Sequence, residues 1–176
     1  DLRPKFHVYQ PHIAVVSGIA WDHINVFPTF ENYVEQFKIF SEKIEKEGKF
    51  IYFEEDENLK KIAEQVRADI GVLSYGTHAH FVKEGKTFLE TRQGEVLLHI
   101  FGEHNLQNLN AARLVCNQLG IQDKDFYKSI ASFKGAANRL EIIKETADSI
   151  VFKDFAHSPS KLKATISAVK KQYLNR

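Results

Sequence analysis

A chain of 176 residues, 43% apolar and 27% charged, has the make-up of an ordinary globular protein, long enough for one domain or two small ones. Its 24 lysines and arginines against 23 aspartates and glutamates leave a net charge of +1, which gives no electrostatic basis for binding nucleic acid or an anionic membrane. No stretch approaches the roughly eighteen apolar residues of a membrane-spanning helix, and the single cysteine, Cys116, cannot close an internal disulfide.

Ile13-Ala14-Val15-Val16-Ser17 is a short apolar, β-branched run ending at Gly18, the pattern of a buried parallel strand. Active-site residues of open α/β sheets gather at the carboxyl ends of such strands, which is where Asp22 and His23 fall. Phe30, Tyr33, Val34, Phe37, Phe40 and Ile44 follow at helical spacing, with Gly48 as the expected stop. Phe50-Ile51-Tyr52-Phe53 reads as a strand, and Asp56 as the cap of a second helix carrying Leu59, Ile62, Ala63 and Val66. This βαβα alternation predicts a parallel sheet with helices on its faces.

From Ile70 to Phe101 the pattern changes to short runs of period two, broken at Gly76, Gly85 and Gly94, which predict three or four antiparallel strands. Within them Glu84-Gly85-Lys86-Thr87 imitates a phosphate-binding loop. That motif needs a further glycine where His80 stands, and a strand-to-helix context, so a hairpin turn is expected instead. Helices are predicted over about 105–119 and 123–132, with Cys116 as a buried thiol on the first, in keeping with a reducing cytoplasm. A hairpin over 139–146 and 149–154 follows, then a last helix capped by Ser158 with Pro159 at its first position. A domain boundary near Gly102 is expected, where strands give way to helices. The histidines at 78, 80 and 99 show no metal-ligand spacing and receive no role.

Asn105 and Asn108, three residues apart at a helix start, share a face. A carboxamide both donates and accepts, which suits the N6/N7 edge of adenine. The competing reading makes Asn105 a helix cap and Asn108 a solvated surface residue.

The stretch Gly102-Glu103-His104-Asn105-Leu106-Gln107-Asn108-Leu109-Asn110-Ala111-Ala112 resembles the hinge motif of the Mur ligases, ATP-dependent enzymes that build the peptide of bacterial cell-wall precursors. Three other segments agree in the family's order. Gly18-Ile19-Ala20-Trp21-Asp22-His23 resembles its Asp-His motif, although Gly18 and Ala20 replace the usual Asn and Glu. Phe133-Lys134-Gly135 with Arg139-Leu140-Glu141 matches the Phe-x-Gly…Arg-Arg-x-Glu segment, Asn138 replacing the first arginine. Lys153-Asp154-Phe155-Ala156-His157-Ser158-Pro159 is similar to Asp-Asp-Phe-Ala-His-His-Pro near the start of the family's C-terminal domain. The Asp154–His157 form and the opening Asp1–Phe6 point to the branch that joins a recycled tripeptide to UDP-N-acetylmuramate.

The resemblance implies an α/β fold. Residues 1–101 would be the later half of a central ATPase domain with a parallel and mixed sheet, and 102–176 the start of a Rossmann-like C-terminal domain. It implies ATP and Mg²⁺ as cofactors, with UDP-N-acetylmuramate and a peptide or amino-acid amine as substrates, in the cytoplasm. His23 would stand at the Mg²⁺ and act in catalysis, and Arg139 would stabilise charge on the transferring phosphoryl group. His104, Asn105, Asn108, Asp154 and His157 would bind the nucleotide, Asp154 through the ribose. The bland alternatives are a hydrogen-bonded structural histidine at 23 and a surface arginine on a strand at 139. The absence of methionine and the missing phosphate loop lead to the expectation of an excised piece, inactive by itself. The same-family rival is the L-alanine-adding ligase, and the rival of another class is a non-enzymatic nucleotide-binding or structural piece.

Overall fold

The computed structural model describes residues 4–22 and 24–173. Its architecture is α/β, and the chain divides after Gly76 into two compact units. Among the described residues no helix is long and apolar enough to cross a membrane.

In the first unit β1 (Ile13–Val16), β2 (Lys49–Phe53) and β3 (Gly71–Tyr75) form a parallel sheet in that order. The register sets Ala14 opposite Phe50 and Phe50 opposite Val72. Parallel neighbours need a crossover; α1 (Phe30–Glu42) supplies one and α2 (Glu57–Ala63) the other. The first helix starts where Thr29 Oγ1 accepts the Asn32 N–H at 3.1 Å. It ends at Glu42, short of the expected stop at Gly48, because the Lys43 N–H turns to the Phe40 carbonyl and tightens the last turn. Asp56 caps α2 as its position predicted, Oδ1 accepting the N–H groups of Asn58 and Leu59 at 2.9 and 3.1 Å. Ala14, Val16, Ile44, Phe50, Leu59 and Ile62 form the core, and Phe37 and Phe40 pack against it.

The run beginning at Ile70 proves to be mixed. Residues 71–75 pair parallel with β2, and only the next three strands are antiparallel. Period two misled here because β3 alternates exposed and covered positions, as a half-covered edge strand does in either pairing direction.

The second unit opens with β4 (His80–Lys83), β5 (Lys86–Thr91) and β6 (Gly94–Leu98), an antiparallel sheet in sequence order. Between β4 and β5 the two turn residues Glu84 and Gly85 both have positive φ, 52° and 69°, as a two-residue hairpin turn demands. The Gly-Lys-Thr sequence is thus a turn, and Thr87 is buried with its hydroxyl donating to Gln172 Oε1. Leu89 and Leu98 of this sheet pack on Leu106 and Leu109 of α3 (Glu103–Gln118) and on Phe126 and Tyr127 of α4 (Asp123–Ile130). Half-buried Cys116 borders this cluster. The hairpin β7 (Glu141–Glu145) and β8 (Ile150–Lys153) leads to α5 (Pro159–Gln172). Leu140, Phe101 and Ala168 form a smaller core beside it.

Asp56 has a further bond: Oδ2 accepts the Ile19 N–H at 2.6 Å, tying the loop after β1 to the start of α2. Asp56→Ala leaves three backbone donors without this acceptor. It is expected to lower the unfolding free energy by about 2 kcal/mol, read as a shift of the denaturant midpoint followed by circular dichroism. An unchanged midpoint would show that water replaces the carboxylate without loss.

Candidate functional site

The residues singled out by sequence fall into two groups, one in each unit. In the first unit the loop leaving β1 runs from Ser17 to Phe27 at the carboxyl end of the sheet. It is held by Ile19 on Asp56 and by Trp21 Nε1 donating to the Phe27 carbonyl at 3.0 Å. Half-buried Asp22 lies close enough to Tyr33 to add to the effect of burial in raising that phenol's pKa. His23 lies outside the described residues. Among those described, no group of three or more histidine, cysteine, aspartate or glutamate side chains is arranged to hold a metal ion.

In the second unit the sequence Phe101–Ala112 becomes the entry and first turns of α3. The cap is Gly102, not Asn105, and the helix starts two residues earlier than predicted. Gly102 has φ 90°, and a Cβ there would meet the Ala168 Cβ of α5 at 2.6 Å, so the position demands glycine on both counts. Asn105 stands inside the first turn, where its Nδ2 donates to the Phe101 carbonyl at 2.8 Å and closes the strand-to-helix corner. The second Nδ2 hydrogen lies outside that bond. Asn108 follows one turn on and is exposed, while Leu106 and Leu109 enter the core.

His104 is half-buried beside Asp154 and Arg139. Burial holds its pKa below the usual imidazole value; the Asp154 charge opposes this and the Arg139 charge adds to it. The ring is therefore neutral at pH 7. For Asp154 burial acts to raise the pKa, but bonds from the Thr165 hydroxyl and the N–H groups of Leu140, Ala156 and Phe155 outweigh it and leave the carboxyl below its ordinary value. Oδ1 accepts from Leu140 at 3.0 Å, and Oδ2 from Ala156 at 3.1 Å and Thr165 at 2.8 Å.

Arg139 is exposed and precedes β7 rather than lying on the strand. Its guanidinium sits 5.6 Å from the centre of the Phe155 ring. His157 is exposed, with Nδ1 2.8 Å from the Phe155 carbonyl and Nε2 3.3 Å from Lys161 Nζ. Ser158 takes the cap position before Pro159 as predicted, but its hydroxyl makes no capping bond and lies 3.3 Å from that of Ser160.

The fold thus brings His104, Arg139 and Asp154 into one electrostatic group and sets Asn105 and Asn108 on the helix that carries His104. Sequence reasoning missed Thr165 and Phe155 as members. Phe155 lay inside a motif already singled out, whereas nothing local marks Thr165, eleven residues from Asp154. His78 is buried with Nε2 2.8 Å from the Tyr127 hydroxyl and Nδ1 on the Ala79 carbonyl, which makes it a core histidine.

A family model, the Mur ligase middle domain, matches residues 5–116, more than half of the chain. The protein belongs to the Mur ligase family. Curated relatives include the UDP-N-acetylmuramate–L-alanine ligase of Desulfitobacterium hafniense (strain Y51), 27% identical over 100% of this chain and 41% of its own length. The ligase of the same name from Desulforamulus reducens is 30% identical over 98% of this chain and 40% of its own length. Among solved structures, MurF from Acinetobacter baumannii superposes with a TM-score of 0.78 at 23% identity, covering 97% of this chain and 39% of that one, a likeness of fold. The chain spans about two fifths of the length of the curated relatives it matches.

A histidine whose folded pKa is depressed stabilises the protein above its unfolded pKa of about 6.5, and that stability is lost as pH falls below it. Burial depresses both His104 and His78. Unfolding free energy should therefore decline as pH falls below about 6.5, and the decline should be shallower in His104→Gln. Denaturant midpoints over this pH range check it; identical slopes for variant and parent would contradict the neutral, buried assignment.

Proposed function

We propose that the whole protein is an ATP-dependent ligase of peptidoglycan synthesis or recycling that forms an amide bond on UDP-N-acetylmuramate. ATP would transfer its terminal phosphoryl group to the muramoyl carboxylate, giving an acyl phosphate and ADP. A substrate amine would then attack the acyl carbon; phosphate leaves and the amine gives up a proton. Catalysis of this type rests on positioning and charge stabilisation. In this reading residues 1–101 belong to the central ATP-binding domain and 102–176 begin the C-terminal domain. The matched region extends past that boundary into α3, as it would if this helix were the hinge element.

The observation that carries the proposal is the grouping of His104, Arg139 and Asp154 beside the carboxamides of α3, together with membership of the family. Asn105 and Asn108 would take the adenine edge, Asp154 would accept from a ribose hydroxyl through a remaining lone pair, and His157 would face the nucleotide. Arg139 would balance charge on the phosphoryl group. His23 is the position that the family resemblance assigns to Mg²⁺ and to catalysis.

The added amine divides the reading. The Asp154-Phe155-Ala156-His157 form favours a tripeptide, as in murein peptide ligase; the names of the relatives favour L-alanine. Phosphate release by the full-length protein with UDP-N-acetylmuramate and each amine in turn separates the two.

The 176 residues contain no Gly-x-x-Gly-Lys-Thr loop. Taken alone they should release no phosphate that depends on both UDP-N-acetylmuramate and an amine, and such release would contradict the assignment of roles.

Asn108 gives the cleaner test of the adenine contact, because its side chain is exposed whereas Asn105 also closes the helix corner. In the full-length protein Asn108→Ala should raise the Michaelis constant for ATP roughly tenfold to a hundredfold, the equivalent of about 1–3 kcal/mol. Discrimination between ATP and GTP should narrow as well. Unchanged values of both would leave Asn108 a solvated surface residue.

A further inference from the structure

We propose that Thr165, acting through Asp154, is a positioning residue for Arg139. The inference rests on the reading of Arg139 as the group that balances phosphoryl charge.

Arg139 stands in an irregular segment before β7. Its neighbours Asn138 and Leu140 have φ of 59° and 48°, left-handed values that asparagine tolerates but that a leucine adopts only when its surroundings impose them. Inside the segment, Asn138 N–H donates to Glu141 Oε2 and Arg139 N–H to the Ala136 carbonyl. These bonds shape the turn but tie it to nothing beyond itself. Leu140 makes the outside connection: its side chain is buried against Phe101 and Ala168, and its N–H donates to Asp154 Oδ1.

Asp154 holds the arginine a second way. The next residue, Phe155, places its ring beneath the Arg139 guanidinium, a cation–π arrangement. The dipeptide Asp154-Phe155 therefore grips Arg139 at both ends, through the backbone beside it and through its charged tip.

What orients Asp154 is α5. Thr165 lies half-buried on that helix, three residues before Ala168 and so on the same face. Its hydroxyl donates to Asp154 Oδ2 at 2.8 Å, and the Ala156 N–H shares that oxygen. Losing the hydroxyl removes the one bond that joins this carboxylate to α5, among the described residues, and frees it to turn away from Leu140. Since the hydroxyl is spent on Asp154, its removal reaches Arg139 and the nucleotide only through that carboxylate.

The test uses the full-length protein, assayed by phosphate release with ATP, UDP-N-acetylmuramate and the preferred amine. Thr165→Val should lower kcat at saturating ATP roughly tenfold, as misplacement of a catalytic group by under an ångström does, with a rise in KM for ATP to the extent that Asp154 also loses its ribose contact. Thr165→Ser, which keeps the hydroxyl, should restore kcat. In an Arg139→Ala background Thr165→Val should cause no further loss, since the two act as one unit. If valine prevents folding, Thr165→Ala provides the same comparison on a residue that favours helix. A lowered kcat for Arg139→Ala beside a parental kcat for Thr165→Val overturns the inference alone. Equal kcat with a lowered Tm in the Thr165 variants does the same, by making the bond purely structural. A parental kcat for Arg139→Ala overturns the phosphate reading of the site and the inference with it.

Discussion

Asp154 accepts hydrogen bonds from the turn before β7, from the loop after β8 and from α5, and so joins three stretches of chain that share no strand or helix. The part of the second unit around Arg139 depends on this one carboxylate. In the first unit Asp56 does comparable work, accepting from two N–H groups of α2 and from Ile19 in the loop after β1. In both cases an ionised oxygen satisfies backbone donors that would otherwise need water, and charge-assisted bonds of this kind are stronger than neutral ones. Each carboxylate also anchors a segment that the motifs single out, Asp56 the loop that holds Ile19 and Asp154 the turn that carries Arg139.

Steric closeness governs the other end of the second unit. Gly102 lets the backbone of α3 approach Ala168 of α5 more closely than any side chain would permit. That approach sets His104 near Asp154 and Arg139. The surface pair Glu103–Lys171, 2.7 Å apart, spans the same two helices but is exposed at both ends and contributes little. Packing and backbone conformation place the histidine, and surface charge does not.

Membership of the Mur ligase family gives this arrangement its functional frame. A neutral imidazole, a guanidinium and a low-pKa carboxylate in one place, next to two carboxamides on a helix, are groups suited to hold a nucleotide and balance phosphate charge. The same carboxylate that would meet a ribose is already committed to the fold. Under the proposed reading, binding and architecture would draw on a single side chain, and changes at Asp154 would disturb both.

Much of the secondary structure was legible from residues alone. Periodicity marked α1 and α2, Asp56 announced its cap, Pro159 marked the start of α5, and the context of Gly85-Lys86-Thr87 identified a turn. These signals act within a few residues, so local sequence determines them. The motifs likewise marked out His104, Arg139 and Asp154 as positions of interest. Tertiary structure decided the pairing direction of β3, since alternation of covered and open positions is the same in parallel and antiparallel edges. It also decided that Gly102 rather than Asn105 caps α3, because the reason lies in Ala168, far along the chain. Thr165 and Phe155 joined the site only when α5 folded back beside the β7–β8 hairpin. A hydrogen bond between a helix and a loop depends on where the whole chain brings them, which no spacing of neighbours records.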